Sequence, residues 1–424
     1  MADWSRRDAI ALLAALVPAP RPPRALSRGA ATRRAADPPL TIRTITAGAT
    51  LRSPSELGPV EAAIGFLGRA RRVVEAAGYP VQTLRIATKP LLAGARPGAR
   101  AQALPALQAL DRAVGAAQVI LSLGPVLAHD AADAEFPAWA AELVRSTAHL
   151  SFSVTVASPE QGVLPAVVDA AAQAMVAIAG VTDAGVGNFR FAAAALVPPG
   201  TPFFPVAYHR GSPAFAIGLE SPPLLAAAFA GPHTVAEARV RLRRALATRL
   251  GAIENLALGL AARERLRYVG IDLSPAPGKD SSSIGAAIET LTGVPFGSAG
   301  TLAGCALITD VLKELPLRRC GYSGLMLPVL EDPVLARRAT EGRYSVRELL
   351  LYSSVCGTGL DVVPLPGETP ATRLAPLVGD VAALATKLRK PLSARLFPVP
   401  GKAAGETAHF ADPLLFDCRV LPLD

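Results

Sequence analysis

Past the first forty residues, the apolar positions of this chain switch repeatedly between a spacing near 3.6 and a spacing of two, which predicts alternating helices and strands. Residues 41–46 read as a strand. Over 61–77, Ile64, Leu67, Ala70, Val74 and Ala77 share one helical face, with Gly78 as the stop. The pattern then predicts a strand at 81–88, a helix at 102–117, an apolar strand at 119–123, a helix at 138–147 and a strand at 151–157. An Ala-rich helix over 164–179 and an extended run over 188–196 follow. Residues 198–220 carry five prolines around Phe203, Phe204, Tyr208 and His209, so only 215–220 reads as a regular strand. Thr234 and Glu237 form a capping box that opens a helix running to about Arg267, long enough to brace two halves of a domain. Beyond it the pattern predicts a strand at 268–273, helices at 283–291 and 302–315, and an extended run at 324–330. Ser345 and Glu348 form a second capping box for a helix over 345–356. Thr369 caps and Pro370 opens a helix over 370–389, and 392–398 is a final strand. About ten strands fed by helices make an α/β fold, a sheet or barrel with helices outside. No repeat of fixed period and no linker interrupts residues 40–424, which read as a single domain.

With 424 residues, 51% of them hydrophobic, the chain can bury a large core without disulfide staples. Only 5% are aromatic, which argues against a base-stacking platform, and nucleic acid is not an expected partner. The formal charge of +9 is concentrated in two places. Residues 1–37 hold seven Arg against three Asp, a net of +4; a second group, including Arg239, Arg241, Arg243 and Arg244, lies on the long helix and reads as a solvated face. Cys305, Cys320, Cys356 and Cys418 are widely spaced with no C-x-x-C pair, so neither a zinc ribbon nor a disulfide framework is signalled. Residues 1–39 read as an export signal and linker. Ser5-Arg6-Arg7 followed by a short apolar run over 9–17 has the twin-arginine pattern, and the run is too short to span a bilayer. No later apolar stretch reaches membrane length. The expectation is export of a folded protein from a bacterial cell, with the cytoplasm as the alternative.

Chemistry concentrates at 353–367, S-S-V-C-G-T-G-L-D-V-V-P-L-P-G, where a helix ends, turns and runs extended. Cys356 is the candidate nucleophile, although the negative end of its helix disfavours a thiolate and calls for a nearby cation. Arg190, His209 and Arg395, each set between apolar extended segments, are the candidate cations. Glu220, Asp272, Glu331, Asp332 and Asp361 fall near strand ends, where carboxylates could act as acid and base or hold Mg²⁺ or Ca²⁺; Asp332, before Pro333, reads equally as a helix cap. Two Gly- and Ser-rich loops enter helices and could hold an anion: 274–283 with Lys279, and 296–301 with Ser298, Gly300 and Thr301. Gly278-Lys279-Asp280 is not a P-loop. Simple capping explains both loops equally well.

G-Y-P-V-Q-T-L-R-I-A-T at 78–88, G-V-G-N-F-R-F at 185–191, G-I-D-L-S-P-A-P-G at 270–278, G-Y-S-G-L-M-L-P-V-L-E-D at 321–332, V-C-G-T-G-L-D at 355–361 and R-L-F-P-V-P-G-K at 395–402 resemble the domain of unknown function 711 family, from residue 40 nearly to the end. The resemblance implies a fold similar to pyruvate formate-lyase and the anaerobic ribonucleotide reductases: a ten-stranded α/β barrel surrounded by helices, with a loop, here 353–367, inserted into its middle. It implies no settled activity and leaves the cofactor unknown. Arg318-Arg319-Cys320-Gly321-Tyr322 partly echoes the glycyl radical motif, but Arg319 stands at an apolar position and the C-terminal F-D-C-R-V-L-P-L-D lacks the glycine. The expected function is therefore a non-radical enzyme acting on a small anionic molecule. Cys356, Asp361, Glu220 and Asp272 are its candidate catalytic residues, and Arg190, His209, Lys279, Ser298, Gly300, Thr301 and Arg395 its binding residues. An exported binding protein for a small anion or metal is the alternative, and assembly as a homo-oligomer is left open. Replacing Arg6 and Arg7 by Lys is expected to hold the protein inside the cell; recovery of the variant outside the cytoplasm on fractionation would refute export by this route.

Overall fold

Alternation gives the strands two faces of opposite character. In Val81–Thr88, Leu84 and Ile86 enter the apolar core while Thr83 and Arg85 line a cavity on the other side. In Leu392–Val399, Ala394 and Leu396 pack in the core while Ser393 and Arg395 line the same cavity. Helices must cover the first face, and the second needs an enclosed polar interior. The computed structural model describes residues 39–423 apart from 232 and 279–281. The expected export signal and Lys279 lie outside the described residues.

In chain order the elements begin with β1 (Thr41–Ala49), α1 (Gly58–Ala76), β2 (Val81–Thr88), α2 (Pro97–Ala116), β3 (Val119–Pro125) and α3 (Phe136–Ser146). Then come β4 (Leu150–Ser158), the short β5 (Gly162–Val163), α4 (Pro165–Gly180), a 3-10 segment (Asp183–Arg190), β6 (Phe191–Ala195), β7 (Ala214–Glu220) and α5 (Pro222–Phe229). The second half holds α6 (Val235–Glu264), β8 (Arg267–Ala276), α7 (Ile284–Thr292), α8 (Thr301–Glu314), α9 (Pro333–Thr340) and α10 (Val346–Tyr352). It ends with β9 (Gly359–Pro366), α11 (Ala371–Leu388), β10 (Leu392–Val399) and the hairpin β11 (Thr407–Ala408) with β12 (Cys418–Arg419).

The strands form one ten-stranded mixed sheet in the order β8-β7-β1-β2-β3-β4-β6-β10-β9, with β5 added to β4. β1, β2, β3, β4 and β6 are parallel to one another. The pairs β7–β8 and β10–β9 are parallel within themselves and flank this block in the opposite direction. Both expected capping boxes are present, Thr234 with Glu237 and Ser345 with Glu348. The first opens the 30-residue α6, whose buried stripe of Leu242, Leu246, Leu250, Ile253, Ala257 and Leu260 packs it against α1, α5, α8 and β8. Among the described residues no helix is long and apolar enough to cross a membrane.

The expected closed barrel is corrected to a curled sheet whose two edges do not pair with each other. Residues 318–331 lie between those edges. Ile271 of β8 bridges Arg319, and Asp361 of β9 bridges Pro328. This segment, expected as a strand over 324–330, cannot continue a ladder: Gly321 and Ser323 adopt φ of 60° and 42°, and Pro328 lacks an N–H. The stretch 353–367, expected as a loop entering the middle, is instead a tight turn that feeds the edge strand β9. α10 ends at Tyr352, short of Cys356. The extended run expected at 188–196 begins only at Phe191, because Ala184 and Gly185 take positive φ in a 3-10 segment. Pro370 rather than Thr369 is the N-cap of α11. The helices α5 and α9, eight residues each, are too short to show a period in the sequence, although each has a proline in its first turn.

The seam between the crossing segment and β9 depends on two glycines. A Cβ on Gly357 would meet the Gly324 backbone at 2.5 Å, and one on Gly324 would meet the Cα of Gly357 at 2.6 Å. Gly357 N–H donates to the Leu325 carbonyl at 2.7 Å, so the two backbones touch with nothing between them. Gly357→Ala is expected to lower unfolding stability by about 1–3 kcal/mol through overpacking. Gly251→Ala, in the middle of α6 with nothing within 4 Å of its Cβ position, is expected to raise it by about 0.5–1 kcal/mol. Denaturant unfolding of the two variants checks both signs.

Candidate active site

The site grows from side chains that strand irregularities turn inward. In β1 the register against β7 slips between Ile42 and Thr44, leaving Arg43 as the extra residue. Opposite Arg395 of β10, β9 carries two residues, Asp361 and Val362, and Val362 takes φ of 45°. A β-branched residue in the left-handed region is a strained choice, and it sits directly after the carboxylate that faces Arg395.

Arg43 donates through Nη1 to Glu220 Oε1 at 3.1 Å and to the Pro277 carbonyl at 2.9 Å, and through Nη2 to Glu331 Oε2 at 3.1 Å. Arg395 donates through Nη2 to Glu331 Oε1 and through Nε to Asp361 Oδ1, both at 2.7 Å. The five side chains form one buried alternating row, Glu220–Arg43–Glu331–Arg395–Asp361. Burial, then the charge of Glu331, pushes the Asp361 carboxyl up, and Arg395 opposes the shift. Tyr322 Oη donates to Ser393 Oγ at 2.8 Å, and Ser393 Oγ donates to the Thr358 carbonyl at 3.1 Å. Thr358 Oγ1 is buried without a hydrogen-bond partner.

These groups border a cavity of about 430 Å³, walled also by Phe189, Phe203, Phe204, Val206, Met326 and Leu414, within the size range of small-molecule sites. Arg85 of β2 lines it, is 7% exposed, and stacks its guanidinium on Phe204 at 5.0 Å. Its Nε donates to Thr83 Oγ1 at 3.1 Å. Its two terminal nitrogens have no hydrogen-bond partner, and no carboxylate pairs with it, among the described residues. Burial, then the charge of Arg43, lowers its pKa to about 9.

The structure brings together some of the residues singled out in the sequence. Asp361 and Arg395 face each other in the cavity, and Glu220 joins them through Arg43. Arg190 lines the cavity near its rim, but its nitrogens go to Thr147 Oγ1 at 3.1 Å, to the Leu150 carbonyl at 3.2 Å and to the Val144 carbonyl in the last turn of α3. Asp272 lies elsewhere. Its carboxylate accepts from Ser274 Oγ and from the N–H groups of Ser274, Tyr322 and Ser323, fixing the crossing segment against β8. Cys356 is buried in the apolar core and does not line the cavity, and Lys390 Nζ donates to its carbonyl rather than its thiol. His209 is packed over Gly48, with Nε2 3.0 Å from the Gly211 carbonyl, outside the main cavity.

Ser298, Gly300 and Thr301 lie at the start of α8, away from the cavity. In the loop before it, Phe296 N–H donates to Glu289 Oε1 at 2.9 Å and Gly297 N–H to Thr301 Oγ1 at 3.1 Å. The loop before α7 is likewise supplied from within. Asp332 accepts from Ile284 and Gly285 in α7 and from Val334 and Leu335 in α9, one carboxylate capping two helices. Arg43, Arg85, Tyr322, Ser393 and Thr358 escaped the sequence reading. The two arginines carry the same signal that selected Arg395, a lone arginine inside an alternating apolar strand. Among the described residues, no group of three or more His, Cys, Asp or Glu is placed to hold a metal ion.

The profile of the family described as Uncharacterised ACR (DUF711) matches residues 36–411. A UPF0210 protein of Oleidesulfovibrio alaskensis is 28% identical over 379 residues, covering 83% of this chain and 81% of that protein. One from Methanosarcina barkeri is 27% identical over 413 residues, 91% and 90% of the two chains. One from Pyrobaculum islandicum is 35% identical over 284 residues, 62% of this chain and 60% of that protein, and the match to its Pyrobaculum aerophilum counterpart spans 51% of that protein's length.

Glu331→Gln leaves two buried guanidinium groups short of a shared anion. It is expected to cost about 3–5 kcal/mol of stability, whereas cutting the exposed Arg145–Glu142 pair should leave the unfolding midpoint nearly unchanged. Equal midpoints for wild type and Glu331→Gln in denaturant titrations would contradict this view of the row.

Proposed function

Because this chain belongs to the DUF711 family, whose matched relatives carry names that state no activity, we propose a function from the cavity itself: a non-radical enzyme that takes a small carboxylate, with Arg85 as its counter-charge and Asp361 as its acid–base group. The observation that carries this reading is the Arg85 guanidinium, buried, backed by an aromatic ring and without a carboxylate of its own. A buried cation is costly unless something pairs with it, and a carboxylate presents two acceptors to the planar fork of an arginine. Arg43 and Arg395 are less suited to that part, since both are held by the protein's own carboxylates.

Asp361 suits proton transfer because burial raises its affinity for a proton while Arg395 holds its orientation. A thiol mechanism is disfavoured by the place of Cys356 in the apolar core. The partial radical motif is disfavoured too, because Gly321 is packed against the Asp272 carboxylate, with Oδ2 2.0 Å from where a Cβ would stand. Binding without turnover is the second reading. It is favoured by how tightly Arg43, Glu331 and Arg395 are locked to one another.

Calorimetric titration with a panel of mono- and dicarboxylates, alongside assays for turnover of those that bind, tests both. Arg85→Gln is expected to weaken binding roughly 10- to 100-fold, as loss of a charge-assisted hydrogen bond would. With the Arg85 pKa lowered to about 9, carboxylate affinity should fall as pH rises through about 9, since the guanidinium is protonated and attractive only below it. Equal affinity of wild type and Arg85→Gln for every carboxylate bound would sink the reading.

A further inference from the structure

The cavity lining carries two incompletely paired groups of opposite sign. Arg85 stands on β2 with no carboxylate paired to it among the described residues, and Asp361 stands on β9, with β3, β4, β6 and β10 between them in the sheet order. In the row that ends on Asp361, Glu331 is held by both Arg43 and Arg395, whereas Asp361 meets Arg395 alone. Only Oδ1 of Asp361 is engaged, by Arg395; Oδ2 has no hydrogen-bond partner among the described residues. Thr358, which also lines the cavity and is 1% exposed, holds a hydroxyl without a partner among the described residues. The Ser393 and Tyr322 hydroxyl protons are already committed, to the Thr358 carbonyl and to Ser393. This end of the cavity therefore offers acceptors, and the Arg85 end offers donors.

A plain carboxylate would engage Arg85 and leave the second oxygen of Asp361 unsatisfied. A ligand that is neutral as a whole but carries separated charges would meet both unpartnered groups at once.

We infer that the ligand of this cavity is a zwitterion, an amino carboxylate whose carboxylate lies on Arg85 and whose ammonium group lies on the free oxygen of Asp361 and the Thr358 hydroxyl. The inference rests on the carboxylate reading of Arg85 and adds the second group to it. Apolar wall residues such as Phe189, Met326 and Leu414 leave room for an uncharged body between the two ends.

The experiment titrates the wild-type protein with straight-chain α-, β-, γ-, δ- and ε-amino acids, each beside the plain acid of the same carbon skeleton. At least one amino acid is expected to bind ten-fold or more tightly than its plain counterpart. Asp361→Asn, which removes a negative charge from the lining, should abolish that preference by weakening the amino acid and not the plain acid, and Arg85→Gln should weaken both. Should Asp361→Asn fail to fold, the wild-type comparison decides alone, and Thr358→Val, expected to reduce the preference, is the second variant. Plain acids that bind as well as every amino acid, in an Arg85-dependent way, would overturn the zwitterion inference and leave the carboxylate reading standing. If no carboxylate binds in an Arg85-dependent way, both fall.

Discussion

Glu331 holds Arg43 with one oxygen and Arg395 with the other. Those arginines belong to β1 and β10, which have four strands between them, β2, β3, β4 and β6. A flat sheet would keep them far apart, at nearly 5 Å per strand. That one carboxylate reaches both means that the sheet is curled tightly, and the polar faces of its strands are turned toward a common interior. The cavity, the isolation of Arg85 and the orientation of Asp361 all depend on that curl. Since buried ion pairs are weak contributors to net stability, the row is better understood as what fixes the shape of the interior than as what holds the chain folded. The apolar outer faces of the strands under the helices supply the stability.

How much of this was legible in the sequence depended on the range of the interaction. Both capping boxes join residues three apart and were read correctly. Most of the strands and helices were read because burial on one face leaves a period in the sequence. The sites escaped where the partner lay far along the chain. α7 does present a helix N-terminus, but its anion is Asp332, supplied by the protein itself, and the loop before α8 turns its Phe296 N–H to Glu289. Asp332 lies 48 residues from Ile284, and no local pattern announces that pairing.

Arg43 and Arg85 were legible in type yet not in role. Each stands as a lone arginine in an alternating strand, as Arg395 does. Which of the three lacks a carboxylate is set by the slip in β1 and the bulge in β9, and neither leaves a local trace in the sequence. Cys356 shows the converse. A cysteine among glycines at a helix end suggested chemistry, but those glycines serve a backbone crossing, with Gly357 pressed on Gly324.

Asp332 ties two helices to one another. Because one carboxylate satisfies the first turns of both α7 and α9, displacing it strands donors in both at once. Asp332 is also the next residue after Glu331, so the cap shared by two helices and the carboxylate that ties β1 to β10 are separated by a single peptide unit, and a substitution that moves one is felt by the other.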